Sequence, residues 1–300
     1  MENRMRETVG FIGLGAMGKG MALNVLKGGY PLRVYDIRQQ PVDELVANGA
    51  QAAESIRDLG GRCTWIVLVL PDTSVVESVL FGPDGLKPAL GSGHIVIDCG
   101  TTHPVSTRQT ASVFRKGGIG FLDAPVSGMK SRAEAGTLTM MVGGEKAVYR
   151  KVHPLLKTMG ERIVYMGPSG NGQLTKMANN ILLNISCAAM AEILPAAVKM
   201  GLDPEKICSV ISAGTGQSYG FDFFSRLVLR RNFERGYPMQ KAYKDMEAIA
   251  EIAARHQIPL PVTSAALQTY RMALDQGLGN ENKGAMIKVW ETAMGVEVRG

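Results

Sequence analysis

The chain has 300 residues, of which 45% are hydrophobic and 20% are charged, and its formal net charge is +6 at pH 7. This length allows two domains of ordinary size, and the composition is typical of a soluble globular protein. The basic residues are spread along the chain, and no nucleic-acid-binding motif is present. These features favour a small anionic ligand over nucleic acid as the partner.

The cysteines and the hydropathy pattern predict a cytoplasmic protein. The cysteines have neither metal-ligand nor Cys-x-x-Cys spacing, so we expect no metal site and buried thiols in a reducing compartment. They are Cys63, Cys99, Cys187 and Cys208. Residues 1–7 are polar and charged, so we expect no signal peptide. No apolar run reaches the roughly 20 residues of a membrane span, so we also expect no membrane association.

The first predicted element is a short buried strand over residues 8–14, followed by a helix that ends near residue 28. A Gly-x-Gly-x-x-Gly motif lies between them, which is the context in which this motif binds a dinucleotide. The first glycine permits a tight turn, the second lets a pyrophosphate approach the backbone, and the third lets helix and strand pack closely. The predicted cofactor-binding residues here are Gly13, Gly15, Met17 and Gly18.

A second strand, over residues 32–36, ends in an acidic residue. Asp36 follows the glycine motif at about the spacing at which an acidic residue binds the 2′-hydroxyl of a ribose. Arg38 lies two residues later and is suited to a 2′-phosphate, but the Asp36 carboxylate would repel that phosphate. Both are predicted cofactor residues, and together they favour NAD over NADP without excluding NADP.

Strand and helix patterns continue to alternate as far as residue 166. Apolar strands that alternate with helices predict a mostly parallel sheet covered on both faces. Residues that follow such strands, here Asp72, Thr73 and Thr101, are expected to face the ligand crevice. The predicted cofactor contacts in these loops are Pro71, Asp72 and Thr101. The further strands are predicted over residues 65–70, 94–99, 121–124, 138–142 and 162–166.

A long helix is predicted from about residue 173, after a loop with three glycines. With about 28 residues it would be about 42 Å long, enough to leave one domain and enter the core of another. We expect Pro195 to kink it or to end it early. Lys176, Asn180 and Asn184 form a polar stripe on a helix that is otherwise apolar almost all round, and such a helix is buried. A buried lysine with two asparagines needs partners or a function.

Only helices are predicted beyond this one, over residues 204–212, 221–231, 239–256, 262–276 and 283–297. The predicted fold is therefore an α/β N-terminal Rossmann domain with a mostly parallel sheet, followed by an all-α C-terminal domain joined by the long helix. The predicted boundaries are residues 1–167 for the NAD(P)-binding domain and 168–300 for the substrate and dimerisation domain.

Four motifs, taken in order, resemble the β-hydroxyacid dehydrogenase family over about residues 8–298. They are the glycine motif, the Asp-Ala-Pro-Val-Ser-Gly segment at residues 123–128, the helix with Lys176 and Asn180, and the pair Lys244 and Asp245. Members of the family include 3-hydroxyisobutyrate dehydrogenase and tartronate semialdehyde reductase. The resemblance implies an active site in a cleft between the domains, and a homodimer or homotetramer.

The resemblance also implies roles for single residues, according to their positions in the motifs. It makes Lys176 the catalytic lysine. The other matched positions are Ser127, Gly128 and Asn180 for the substrate, and Thr101 and Lys244 for the cofactor side, with Asp245 as the fixed neighbour of Lys244.

Two positions depart from the family pattern. Met129 replaces the second glycine of the usual Ser-Gly-Gly, so the substrate loop is bulkier and less free. Gly100 replaces the serine that usually precedes the threonine at 101, which removes one possible hydroxyl contact.

Two cations follow the substrate segment directly, at Lys130 and Arg132. We consider them candidate substrate-binding residues that would meet a second anionic group, such as another carboxylate or a sulfonate. The alternative is that both side chains point to solvent, or that Arg132 pairs with Glu134. Loop cations are usually solvated, and surface ion pairs contribute only about 0–1 kcal/mol.

The predicted reaction is hydride transfer between a nicotinamide and the hydroxyl carbon of a small β-hydroxy acid, or reduction of the matching semialdehyde. Lys176 is the predicted acid/base group. A free lysine has a pKa of roughly 10.4, and burial and a cationic nicotinamide are expected to lower it. An imine reductase of related fold is one alternative, which the lysine at 176 disfavours. A non-catalytic NAD-sensing module is another, which the complete glycine motif disfavours.

Overall fold

The computed structural model describes residues 6–234 and 236–300, so the expectation drawn from residues 1–7 falls largely outside the described part of the chain. The chain forms two compact units, and the division lies between Lys176 and Met177. The first unit is α/β and the second is helical, which confirms the predicted fold class.

One sheet runs through the first unit. Its strands are β1 (Val9–Ile12), β2 (Leu32–Tyr35), β3 (Gln51–Ala52), β4 (Trp65–Leu68), β5 (Ile95–Asp98), β6 (Gly120–Asp123), β7 (Val126–Ser127), β8 (Leu138–Gly144) and β9 (Gly160–Gly167). Within the described residues their order is β3-β2-β1-β4-β5-β6-β8-β7, and β9 pairs with β8. The strands from β3 to β6 are parallel, whereas β8 runs antiparallel to β6 and β7. The loops after β1, β4 and β5 therefore leave the same edge of the sheet.

Helices follow the strands of the first unit. They are α1 (Gly18–Lys27), α2 (Gln39–Ala47), α3 (Ile56–Arg62), α4 (Thr73–Phe81), α5 (Pro104–Lys116), α6 (Met129–Ala135) and α7 (Lys146–Met159). The sequence did not predict β3 and β7, because two-residue strands carry no readable periodicity.

Alternate residues of the central strands enter two separate apolar cores. In β4, Trp65 and Val67 pack into a core with Phe11, whereas Ile66 and Leu68 pack into another core with other side chains of the unit. Successive side chains of a strand point to opposite faces, so both faces of the sheet are covered. This explains why the strands are continuously apolar in sequence.

The second unit consists of helices around one apolar core. They are the larger part of α8 (Asn171–Lys199), α9 (Pro204–Ala213), α10 (Tyr219–Leu229), α11 (Met239–Arg255), α12 (Pro261–Asp275) and α13 (Ile287–Met294). Tyr270 is fully buried in this core. The last helix is shorter than predicted, since Asn282 accepts the backbone N–H of Gly284 and starts a 3-10 turn, Lys283–Met286, before it. Gly295, with φ 64°, lies just beyond its end.

Helix α8 has 29 residues and continues through Pro195, so of the two effects expected of this proline the early end is wrong, and the kink stays a prediction. Proline removes one backbone hydrogen bond. Packing compensates, because Ala191, Leu194 and Ala197 are all nearly or fully buried in the second unit. The helix is not apolar and buried all round either, since the side chain of Leu182 is 71% exposed.

The expectation that no segment resembles a membrane span needs a correction. Among the described residues, α8 is long and apolar enough to cross a membrane, with a mean hydropathy of 1.8 over its most apolar window. Half of that window is buried inside the protein, and the core helix of a soluble protein passes the same test of length and composition. The cysteines match their prediction: all four are buried, and burial raises the pKa of Cys187 to about 12.

Candidate active site

The glycine motif forms a tight turn between β1 and α1. Gly13 has φ 94°, and a Cβ there would lie 2.3 Å from the carbonyl oxygen of Val69. A Cβ at Gly18 would lie 2.0 Å from the carbonyl oxygen of Gly13, whereas one at Gly15 would meet nothing within 4 Å. Helix α1 begins at Gly18, and Met17 before it gives no side-chain cap. The open backbone at Gly15 and the helix N-terminus fit a dinucleotide pyrophosphate.

Asp36 lies just after β2 and contacts this turn. Its Oδ2 accepts the backbone N–H of Leu14 at 2.6 Å, and its Oδ1 accepts the backbone N–H of Arg38 at 2.9 Å and Nε of Arg38 at 3.2 Å. Burial acts to raise the pKa of this carboxyl, but the hydrogen bonds outweigh it and lower the pKa below its ordinary value. The structure thus brings Asp36, Arg38 and the glycine turn together, with an ionised carboxylate beside the turn.

The loops after β4 and β5 are tied to each other. The hydroxyl oxygen of Thr73 accepts the backbone N–H of His103 at 2.9 Å. Asp72 caps α4, since its Oδ1 accepts the backbone N–H of Val75 at 3.0 Å. Pro71 and Asp72 are exposed, and Thr101 is half-buried. Asp72 therefore has a structural role besides the predicted cofactor contact.

The predicted substrate loop contains an unusual backbone. Ser127 ends β7, Gly128 has φ 147°, and Met129 has φ 63°. That left-handed region favours glycine, and a side chain there adds strain of about 1–3 kcal/mol. The geometry explains why glycine suits position 129, and why a methionine at this position makes the loop stiffer.

Lys130 and Arg132 lie on α6 as exposed side chains, 64% and 46% accessible. Lys130 lies 3.6 Å from Glu134, and Arg132 lies 3.8 Å from Glu161 on β9. The pairing of Arg132 with Glu134 considered from the sequence is therefore not the one observed. Both cations already have carboxylate partners within the first unit.

Two buried carboxylates lie where β5 and β6 end. Asp98 accepts the backbone N–H of Gly100 at 2.9 Å and the hydroxyl of Thr102 at 3.0 Å. Asp123 accepts the backbone N–H groups of Gly170 at 2.8 Å and Gln173 at 3.0 Å. Burial raises the pKa of both carboxyls to about 6. Asp123 therefore fixes the start of α8, the helix that carries Lys176.

Lys176 is half-buried on α8, one turn after Gln173. Both belong to the first unit. Because residues three apart share a helix face, the position of Lys176 depends on how the first turn of α8 is held. That turn is held by the carboxylate of Asp123 and by the side chain of Gln173, which is fully buried.

The second unit holds the rest of the polar stripe. Asn180 donates from Nδ2 to Oδ2 of Asp245 at 3.1 Å. Lys283 donates from Nζ to Oδ1 of the fully buried Asn184 at 2.5 Å. Burial lowers the pKa of Lys283, and the charge of Asp245 partly opposes this. Lys244, on α11 beside Asp245, is exposed. The stripe on α8 thus has partners from α11 and from the 3-10 turn.

The sequence reasoning missed Gln173 and Lys283. Gln173 lies at the predicted start of the long helix, three residues before Lys176, and this spacing was the available signal. Lys283 lies at the predicted start of the last helix, where a lysine ordinarily faces solvent. Its burial results from long-range packing and has no local signature.

Comparisons with known proteins identify the family to which the chain belongs. Residues 8–167 match the family model for the NAD binding domain of 6-phosphogluconate dehydrogenase. Residues 170–290 match the model for the NAD-binding domain of NADP-dependent 3-hydroxyisobutyrate dehydrogenase. The chain is 39% identical to 2-(hydroxymethyl)glutarate dehydrogenase of Eubacterium barkeri, over 97% of each chain.

Two further similarities have the same extent. The chain is 35% identical to NAD-dependent L-serine dehydrogenase of Pseudomonas aeruginosa, over 96% of this chain and 99% of the relative. It superposes on the crystal structure of 3-hydroxyisobutyrate dehydrogenase from Salmonella typhimurium with a TM-score of 0.87 and 28% identity, covering 94% and 99% of the two chains. The chain therefore belongs to the β-hydroxyacid dehydrogenase family, and it is an NAD(P)-dependent oxidoreductase that acts on the hydroxyl group of a small hydroxy acid.

Proposed function

We propose that this enzyme transfers a hydride between the nicotinamide of NAD and the terminal hydroxyl carbon of a 2-substituted 3-hydroxypropanoate, with Lys176 as the acid/base group. The observation that carries the proposal is the start of α8. There the buried carboxylate of Asp123 holds the helix turn that precedes Lys176. The same turn is hydrogen-bonded to the loop that contains Thr101, the predicted cofactor contact.

The substrate class rests on what the relatives' names have in common. Read as chemical names, 2-(hydroxymethyl)glutarate, L-serine and 3-hydroxyisobutyrate all contain a 3-hydroxypropanoate. They differ in the group on C2, which is a carboxyethyl, an amino and a methyl group respectively. We therefore propose that the carboxylate and the CH2OH group are the recognised core, and that the C2 group distinguishes the substrate of this enzyme.

The cofactor is assigned to the first unit. Gly13, Gly15 and Gly18 would receive the pyrophosphate, and Asp36 the ribose hydroxyls, which favours NAD over NADP. When bound, the nicotinamide supplies hydride acceptance and donation. Pro71, Asp72 and Thr101 extend this site along the edge of the sheet, and Lys244 is proposed on the cofactor side by family resemblance.

The proton step is assigned to Lys176. As an amine it takes the hydroxyl proton during oxidation, and as an ammonium it returns a proton to the carbonyl oxygen during reduction. Ser127, Gly128 and Asn180 are proposed to hold the carboxylate and the reacting carbon in place. The hydrogen bond from Asn180 to Asp245 limits the rotation of the Asn180 amide, which favours one orientation towards a ligand.

We also propose that the enzyme is a cytoplasmic homodimer or homotetramer with domains at residues 1–167 and 168–300. Reduced, buried thiols suit a reducing compartment. Leu182 and Ile193 lie on one face of α8 and are 71% and 53% exposed, so a second copy of the chain is the proposed cover. Light scattering on Leu182→Glu tests this: the variant should have a lower mass than the wild type, and an unchanged mass would contradict the proposed interface.

The test of function is an assay panel with NAD and NADP. Substrates are 3-hydroxypropanoates with methyl, amino and carboxyethyl groups on C2, and a cyclic imine is assayed for reduction. Lys176→Ala should lower kcat by at least about 100-fold, the low end for a positioned acid/base group, with NAD affinity little changed. Lys199→Ala, on the same helix and bonded to the Met294 carbonyl, is the matched control.

Three outcomes of the panel would reject the proposal. Wild-type turnover in Lys176→Ala would remove this residue from the mechanism. Turnover of the imine alone would favour an imine reductase. NAD binding without turnover of any substrate would favour an NAD-sensing module.

A further inference from the structure

The side chain of Gln173 joins α8 to the loop after β5. Its Oε1 accepts the backbone N–H of Thr102 at 3.1 Å, and its Nε2 donates to the backbone carbonyl of Gly100 at 3.0 Å. Gln173 is fully buried. Thr101 lies between the two bonded residues, so one amide brackets the residue proposed to contact the cofactor. We call these two hydrogen bonds the Gln173 bridge.

Both ends of the bridge are anchored independently of it. On the helix side, Asp123 accepts the backbone N–H of Gln173 itself. On the loop side, the hydroxyl of Thr102 donates to Asp98 at 3.0 Å and also contacts the hydroxyl of Thr107 at 3.0 Å. These partners are buried, and hydrogen bonds within a buried network support one another. The bridge therefore connects two buried, hydrogen-bonded anchors.

We propose that Gln173 is a positioning residue that fixes the loop carrying Thr101 relative to Lys176, so that the cofactor contact and the acid/base group are held as one unit. The proposal rests on the function proposed above. Lys176 follows Gln173 by one helical turn, so a shift of that turn moves the lysine. A displacement of about 1 Å in a reacting group can cost about 100-fold in rate.

The chemistry of the site selects glutamine. A backbone carbonyl and a backbone N–H must both be satisfied, which requires a donor and an acceptor on one side chain. Glutamate provides the acceptor only and would add a third carboxyl beside Asp98 and Asp123. Methionine has a similar length but leaves both buried backbone groups without partners.

The test compares Gln173→Met with Asn171→Ala. Asn171 also supports the start of α8, but its Nδ2 donates to the carbonyl of Met166 on β9, at 2.8 Å, rather than to the β5 loop. Hydrogen exchange of the ligand-free proteins reports on the loop directly. In Gln173→Met the amide of Thr102 should exchange at least about 10-fold faster than in the wild type, because its acceptor is lost. In Asn171→Ala it should not change.

Kinetics distinguish positioning from simple stabilisation. Gln173→Met should lower kcat by about 10–100-fold, with KM for the hydroxy acid changed less than about 3-fold. Asn171→Ala should keep the wild-type kcat even if its Tm falls as much as that of Gln173→Met. Gln173→Glu keeps an acceptor for Thr102 but leaves the Gly100 carbonyl without its donor, so it should also lower kcat. If Gln173→Met does not fold, Gln173→Glu is compared with the control, and a wild-type kcat would overturn the proposal.

The two proposals fail in different ways. If the wild-type protein oxidises none of the hydroxy acids, the proposed function is wrong. The Gln173 bridge is still tested in that case, by hydrogen exchange at Thr102 and by calorimetric measurement of NAD affinity. NAD affinity should fall at least about 3-fold in Gln173→Met if the loop is held for the cofactor. Unchanged exchange at Thr102 overturns the bridge. Faster exchange with unchanged kcat and NAD affinity overturns its positioning role.

Discussion

Neutralising Asp98 should change how stability depends on pH, in the direction opposite to that of an ordinary surface carboxylate. Asp98 lies at the end of β5 and is 1% exposed. Burial raises its pKa to about 6, and the nearby Asp123 adds to this, while hydrogen bonds from Gly100 and Thr102 oppose it. Asp98→Asn keeps the acceptor for Gly100 and can donate to the Thr102 hydroxyl, which then donates to Thr107.

The sign and size follow from proton linkage. An unfolded aspartate has a pKa of roughly 3.9, so between about pH 4 and 6 the folded protein binds a proton that the unfolded chain does not. The free energy of unfolding therefore falls as the pH rises through this window. A shift of about two pKa units corresponds to at most about 3 kcal/mol, because each unit is worth about 1.4 kcal/mol. The asparagine variant lacks this dependence.

Urea unfolding, followed by circular dichroism, measures the effect. Between pH 7.5 and 4.5 the wild type should gain about 2 kcal/mol of unfolding free energy relative to Asp98→Asn, because the full value of about 3 kcal/mol is reached only below the unfolded pKa of roughly 3.9. Asp203→Asn, which removes an exposed helix-capping carboxylate, is the control for non-specific effects of neutralisation. A difference between wild type and Asp98→Asn that stays constant, or that changes in the opposite direction, would refute the reasoning.

Four further substitutions test the strain in the substrate loop and the proposed ligand contacts. Met129→Gly should raise the unfolding free energy by about 0–2 kcal/mol, because relief of about 1–3 kcal/mol of backbone strain at φ 63° is offset by roughly 1 kcal/mol of extra chain entropy in the unfolded glycine variant; a lower Tm would contradict the strain. Asp36→Ala should shift the kcat/KM preference towards NADP, because Arg38 loses its carboxylate partner; a wild-type enzyme that prefers NADP would count against this role of Asp36. Lys130→Ala and Arg132→Ala should each lower kcat/KM about 10-fold for a dianionic 3-hydroxy acid and little for a monoanionic one, since exposed ion pairs worth about 0–1 kcal/mol yield to a bound anion. Equal, small losses on both substrates would remove the two cations from the site.

The sequence by itself determined the fold class and identified the main parts of the candidate site. The glycine motif, the acidic residue after β2 and the position of Lys176 on a long helix are all encoded locally, by turn chemistry and side-chain periodicity. Gly13 illustrates this, because its left-handed backbone in the tight turn is a requirement that one residue carries. Such local features can be recognised in the sequence alone, because they depend only on the strand, the turn and the helix that contain them.

Tertiary structure alone decided which side chains and backbone groups pair across separate elements of the fold. Arg132 pairs with Glu161 on β9 rather than with the nearby Glu134, and α8 continues through Pro195 because its neighbours are packed in a core. The Gln173 bridge joins residues 71 and 73 positions apart in the chain. Which buried polar group meets which backbone atom depends on how separate elements pack, and a periodic pattern records only that a face is buried.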